Sequence, residues 1–260
     1  MTSPSSATST WAAGDYPAMA AHLSPAADRV VAAAAPGPGT TVLDVGTGTG
    51  NAAFAAARTG AAVTAVDPTP ELLAIARRRA DEEGLAVTFE EGDTDRLPGT
   101  HDRVLSVFGA MYAPDHARAA DALVRACAPG GRIVSAAWTP DGLMAAANRA
   151  AGPYLPPPPP GGQPPVRWGD AAYVRALFAG HEVSVTTERV SFAFASPAAA
   201  AAFWVRTAGH LQAERDRLLA DDSWLALHHD LAAVFADHTT ADGTVDANSA
   251  YLLAVVRPDR

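Results

Sequence analysis

Short apolar runs rich in β-branched residues, at about 41–45, 62–66, 86–90, 103–108 and 132–137, alternate with alanine-rich helical segments at about 51–58, 70–83 and 115–128. A strand, a helix and a second strand, repeated, form the rhythm of a mostly parallel sheet covered by helices on both faces. The punctuation between the runs agrees with it. Thr69-Pro70-Glu71 offers a cap, a first-turn proline and a first-turn acid to one helix, while Gly84 and Gly130-Gly131 are placed to close two others. Ser24-Pro25 reads as the start of an earlier helix that runs to about Ala35, where "PGPG" ends it. The expected fold class is therefore α/β, a doubly wound, seven-stranded, mostly parallel sheet.

Beyond about residue 140 the rhythm changes. The stretch "GPYLPPPPPGGQPPVRWG" contains five consecutive prolines and reads as a semi-rigid surface loop of polyproline character. Residues 170–179 look helical, "HEVSVTTERVSFAF" alternates as one or two strands, and 197–237 looks like two or more helices. "AYLLAVVRP" supplies a last strand, 250–257, expected to run antiparallel. The expectation is one domain over 1–260: N-terminal cap helices in 1–35, a cofactor-binding core in 36–140, a substrate-side loop and helical insert or lid in 141–249, and the final strand in 250–260.

Glycines 46, 48 and 50 stand in the turn after the first strand, "VLDVGTGTGN". In an open parallel sheet that turn lies at the carboxyl edge where ligands bind, and glycines let the backbone approach a ligand closely. The ligand class is narrowed by the neighbours. All 19 basic residues are arginines, so no phosphate-binding lysine exists and a P-loop is excluded. A dinucleotide site would want Gly-x-Gly-x-x-Gly/Ala, but its last place holds Asn51. The net charge of −9 disfavours nucleic acid, and the one basic run, Arg77–Arg79, reads as a solvated helix face. A single cysteine, Cys127, allows no internal disulfide, and no stretch approaches the roughly 20 apolar residues that span a bilayer. "MTSPSSATST" lacks the pattern of a signal peptide, so a cytoplasmic protein without a membrane partner is expected.

Taken together these motifs resemble the class I S-adenosylmethionine-dependent methyltransferases, and in particular their small-molecule branch that includes the quinone-biosynthesis type. The resemblance covers residues 11 to about 140 well and continues more loosely through "WGD" to 257. It implies a Rossmann-like core with S-adenosyl-L-methionine as cofactor. Gly46, Gly48 and Gly50 would wrap the methionine part, and Asp44 would reach its amino group through water. Asp67 in "AVDP" would take both ribose hydroxyls, with Pro68 against the adenine; in "EEGDTDRLP", Asp93 would accept from the adenine amino group and the Thr94 amide would serve a ring nitrogen. Phe108 and Tyr16 complete the expected cofactor contacts.

The acceptor is less legible. The residues from Phe108 to Tyr112, and His116 beyond them, are expected to face the methyl group, with Trp11, Tyr16, Trp204 and His210 on segments that cover it. His116 and His210 are the candidate bases and Tyr112 the candidate orienting hydroxyl. The fourth strand ends "SVFG" without an acid, so no metal is expected, and "VFGAMY" departs from the Asn/Asp-Pro-Pro-aromatic motif of base-methylating enzymes. The expected partner is a small-molecule methyl acceptor, with O-methylation favoured, and a homodimer is possible. Three functional classes stay open at this point: a methyltransferase, a nicotinamide-dependent oxidoreductase, and a module that binds S-adenosylmethionine without transferring methyl.

Overall fold

The structure, a computed structural model, describes residues 11–158 and 161–259. Strands β1 (Thr41–Val45), β2 (Ala62–Asp67), β3 (Val87–Glu91), β4 (His101–Val107), β5 (Cys127–Trp138), β6 (Glu182–Phe194) and β7 (Val245–Arg257) form one seven-stranded sheet in the order β3-β2-β1-β4-β5-β7-β6. β1 pairs in parallel with β2 and β4, β2 with β3, and β4 with β5. β7 runs antiparallel to β5, from Ile133 opposite Val256 to Trp138 opposite Tyr251. The winding reverses between β1 and β4, which puts the turn after β1 at the switch point.

Helices α1 (Tyr16–Ala34), α2 (Asn51–Ala57), α3 (Pro70–Glu83) and α4 (His116–Ala126) are interleaved with the first five strands, followed by α5 (Leu143–Ala151) and α6 (Ala171–Leu177). Four more, α7 (Pro197–Thr207), α8 (Gly209–Ala213), α9 (Arg215–Ala220) and α10 (Trp224–Ala236), fill the expected helical insert. Of the described residues, 23–140, 161–188 and 251–259 form one compact unit built on the sheet, and 11–22, 141–158 and 189–250 form a second. In the second, α10 packs against α7 and α5, with Trp204 and Phe235 tilted together at 5.8 Å between ring centroids. No helix among the described residues is long and apolar enough to cross a membrane.

Several boundaries differ from the sequence reading, each for a physical reason. α1 begins at Tyr16, not Ser24, and holds Pro25 in its interior, although proline there forfeits a backbone bond. The buried stripe that carries the helix, Met19, Ala20, Leu23, Ala26, Ala27, Val30, Val31 and Ala34, extends to both sides of the proline, so burial outweighs the lost bond. Gly130-Gly131 does not cap α4, which ends at Ala126; both glycines lie inside β5, where the register against β4 shifts between His101 and Arg103. A Cβ on Gly131 would stand 2.7 Å from the Asp102 carbonyl, so the extra residues fit only without one. Gly84 closes α3 as expected, at φ 63°, donating to the Ala80 and Asp81 carbonyls. Thr69 precedes α3 without capping it through its side chain. β7 begins at Val245, five residues before the apolar run that betrays it, because its first half alternates buried and exposed positions.

Candidate functional site

The turn after β1 is held from below by the end of β2, because the Gly46 and Thr47 amides both donate to the Val66 carbonyl, at 2.8 and 3.0 Å. Gly46 and Gly50 sit at φ 71° and 97°, in the left-handed region, and neither tolerates a side chain. A Cβ on Gly46 would stand 2.8 Å from the Gly109 Cα, and one on Gly50 would stand 2.4 Å from the Phe54 ring. The loop is therefore wedged between the turn after β4 and the first turn of α2.

Two buried aspartates flank it. Asp44 Oδ2 accepts from the Thr47 hydroxyl at 2.7 Å and the Ala53 amide at 3.0 Å. Burial raises its pKa to about 6, against the pull of those two bonds and with a further push from the Asp67 charge. Asp67, at the end of β2, accepts from the Gly48 amide at 2.8 Å on Oδ2 and from the Thr69 amide at 2.9 Å on Oδ1. Burial shifts it upward too, opposed by the bonds to Gly48 and Thr69. These donors fix the carboxylate's orientation without filling the acceptor capacity of two oxygens.

The rest of the expected cofactor set is more open. Pro68 and Asp93 are exposed and Thr94 is half-buried. Asp93 Oδ1 accepts from the Asp95 amide at 2.8 Å, which shapes the turn after β3. Phe108 follows β4 at φ 54°, a left-handed conformation uncommon outside glycine. Its amide donates to the Ala136 carbonyl at 2.9 Å, and its ring is buried, stacked on Trp138 at 3.8 Å and 6° and met edge-on by Tyr251. The expected cofactor contact at Phe108 is thus occupied by an aromatic stack, which offsets the backbone strain. Ser106 ties the same strand end together: its hydroxyl donates to the Val45 carbonyl and accepts from the Ala110 amide, both at 2.8 Å.

The acceptor candidates divide between the two units. Tyr112 ends a short 3-10 turn, Ala110–Tyr112, and is 40% exposed. His116, at the start of α4, is fully buried and has both ring nitrogens engaged, Nε2 with the Met111 carbonyl at 3.1 Å and Nδ1 with the Tyr173 hydroxyl at 3.0 Å. Since a carbonyl can only accept, Nε2 carries a proton. Nδ1 faces the Tyr173 hydroxyl, whose own proton goes to Gln163 Oε1 at 2.5 Å, and burial lowers the pKa of the ring. The sequence reading set His116 beside the methyl group as a base, but this arrangement leaves it no free nitrogen to offer. Tyr16, His210, Trp11 and Trp204 all lie in the second unit. There, the Asp15 amide donates to the Arg206 carbonyl at 3.0 Å, and a Cβ on Gly14 would stand 2.7 Å from the Gly209 nitrogen, so the segment bearing Trp11 and Tyr16 is held against the α7–α8 junction. His210 is half-buried and burial lowers its pKa.

Ser106, Trp138 and Arg79 escaped the sequence reading. Arg79, read as part of a solvated run, instead bonds the loop itself at Thr49 and Asn51. Helical spacing carried the signal: Leu72, Leu73, Ala76 and Ala80 are the buried positions of α3, and Arg79 borders that stripe while Arg77 and Arg78 face outward.

A sulfonium nucleoside fits these residues. The loop presents amides without Cβ obstruction, an oriented carboxylate stands at the second strand end, and the place where a dinucleotide fold needs glycine or alanine is filled by an Asn51 side chain bonded to Arg79. Comparison with known proteins agrees. A family model described as a methyltransferase domain matches residues 42–131, from β1 into β5. An uncharacterized protein of Mycobacterium tuberculosis is 42% identical over 183 residues, covering 69% of this chain and 67% of that protein. A ubiquinone biosynthesis O-methyltransferase of Xanthomonas campestris is 37% identical over 132 residues, or 47% of this chain and 54% of that enzyme. In fold, the chain is similar to a magnesium protoporphyrin IX methyltransferase from Synechocystis solved with bound SAH, with a TM-score of 0.55 at 16% identity over 92% of this chain and 86% of that one. The chain belongs to the class I S-adenosylmethionine-dependent methyltransferases, small-molecule branch, and is an enzyme that takes its methyl group from S-adenosylmethionine.

Proposed function

We propose that the enzyme methylates a hydroxyl oxygen of a small, largely apolar metabolite. The observation that carries this reading is the chemistry of the carboxyl edge. The glycine loop and Asp67 fit the donor, and the turn beyond β4 carries the buried apolar residues Phe108, Ala110 and Met111 and the 40% exposed Tyr112 rather than an acid that would hold a metal. The relative from Xanthomonas campestris, named as an O-methyltransferase, supports the choice of oxygen. The net charge of −9 argues against a nucleic acid acceptor. The enzyme is taken to act in the cytoplasm.

S-adenosylmethionine brings an already activated methyl, so the protein's part is to hold the acceptor in line and remove its proton. Tyr112 orients the acceptor hydroxyl. His210 takes the proton, since a half-buried imidazole whose pKa burial lowers is neutral at pH 7 and free to accept. His116 acts at one remove, holding the Met111 carbonyl and with it the turn that carries Tyr112. Asp44, Gly46, Gly48, Gly50, Asp67, Pro68, Asp93, Thr94 and Tyr16 are assigned to the cofactor.

Transfer of carbon-14 label from the methyl of S-adenosylmethionine to a panel of phenols, carboxylic acids and amines tests this. Label is expected on hydroxyl acceptors, with His210→Ala lowering that turnover at least about a hundredfold while affinity for S-adenosylhomocysteine stays within about threefold. Label appearing on amines or acids alone, untouched by His210→Ala, would replace the reading with one in which proximity suffices.

A further inference from the structure

The three arginines of α3 part company. Among the described residues Arg78 reaches only Glu82, 3.8 Å away, with both side chains 66% exposed. Arg77 donates to the Phe89 carbonyl at 3.1 Å, beside β3. Arg79 turns inward: its Nη1 donates to the Thr49 carbonyl at 2.7 Å and lies 3.1 Å from Asn51 Oδ1 and 3.2 Å from Thr49 Oγ1. The guanidinium also covers the Phe54 ring, 5.0 Å from its centroid, and that ring is the one a Cβ on Gly50 would strike. Gly50, Phe54 and Arg79 are thus stacked in series. The Thr49 carbonyl lies one residue before the N-cap Gly50, outside the α2 ladder that opens with Phe54 donating to Gly50, and the Ala53 amide is given to Asp44, so Arg79 is its donor.

We propose that Arg79 is a positioning residue for S-adenosylmethionine, clamping Thr49, Asn51 and Phe54 so that the glycine loop holds its ligand-ready shape before the ligand arrives. A loop with three left-handed glycines has more freedom to lose on ordering than any other short segment, and a ligand that must order it binds more weakly. Arginine suits the task where lysine would not, since a planar fork can bond two neighbouring acceptors and lie on an aromatic ring at once. Asn51, at the place that excludes a dinucleotide, is by this account retained as the clamp's second anchor. The proposal rests on residues 46–50 being the cofactor cradle.

The test is calorimetric binding of S-adenosylhomocysteine to the wild type and to Arg79→Met, Arg79→Lys, Asn51→Ala and Arg78→Met, together with amide exchange of the ligand-free proteins. Arg79→Met should weaken binding tenfold or more and raise KM for S-adenosylmethionine, leaving kcat within about twofold, as expected for uniform binding. Arg79→Lys should recover part of the loss and Arg78→Met should match the wild type. Amides of residues 46–51 should exchange at least tenfold faster in Arg79→Met, while those of β1 stay protected. Should Arg79→Met not fold, Asn51→Ala carries the test with an expected threefold or greater loss. A folded Arg79→Met, or failing that Asn51→Ala, that binds within twofold of the wild type with unchanged exchange would overturn the clamp. A wild type that does not bind S-adenosylhomocysteine would instead sink the cradle and the clamp with it.

Discussion

At Asp44, burial favours the protonated carboxyl while the Thr47 and Ala53 donors favour the charged one, and the balance falls at about 6. A folded-state pKa above the ordinary carboxylate range means that this group's contribution to stability is greatest at low pH and is lost as pH rises to about 6. Ligand binding pulls the other way. In the proposed assignment the methionine ammonium lies toward this residue and would favour the carboxylate, so binding should lower the pKa and release a proton. Affinity for S-adenosylhomocysteine should therefore climb between about pH 5 and 7 and level off above, with proton release near pH 6 visible as a buffer-dependent heat. Asp44→Asn should flatten that profile; an unaltered slope in the variant would assign the titration elsewhere. Asp44, Asp67 and the glycines lie at the strand ends and in the turn where the sequence reading put them, because backbone position alone decides that place; their part in binding is the proposal above. His116 and Arg79 could not be read in the same way, because one basic side chain is drawn into a buried network with Tyr173 and Gln163 and another into a loop 28 to 30 residues away.

Among the elements, the short 3-10 segment Pro165–Gly169 shows how closely the chain packs at the end of β5. A Cβ on Gly169 would stand 1.9 Å from the Trp138 carbonyl oxygen and 2.7 Å from the Thr139 Cα, all backbone atoms that cannot swing aside. Trp168 beside it is buried and meets both His116 and Phe178 edge-on. Gly169→Ala must push this segment off the strand, at a cost of about 1–3 kcal/mol for overpacking. Urea unfolding should show that loss, and a midpoint equal to that of the wild type would mean the segment moves freely. In the sequence "WGD" carries only the looser end of the family resemblance and no packing role, because a glycine that serves close approach looks like one that serves a turn. Legibility follows the same division elsewhere. α3 is found at its full span, 70–83, because first-turn proline, first-turn acid and closing glycine are all local. The start of α1 and the bulge in β5 were missed because each is decided by distant packing.

At the scale of the whole molecule, three regular elements belong to both compact units: α1 crosses the division between residues 22 and 23, β6 between 188 and 189, and β7 between 250 and 251. Neither unit can lose its order without breaking a helix and two strands of the other, so unfolding should be one cooperative event. The expected cofactor residues other than Tyr16 all lie in the sheet unit. A ligand bound there acts by mass action on the shared transition: at about 100 times its dissociation constant, S-adenosylhomocysteine should add roughly 2.7 kcal/mol. For a chain of this size that moves the melting temperature by roughly 5–10 °C, and NAD at the same concentration should move it by nothing measurable. Differential scanning calorimetry distinguishes the outcomes. A single peak displaced as a whole by S-adenosylhomocysteine supports both the cofactor and the coupling through α1, β6 and β7. Two peaks of which only one responds would keep the cofactor and refute the coupling, and a peak displaced by NAD alone would refute the cofactor, returning Asn51 and its arginine to a purely structural role.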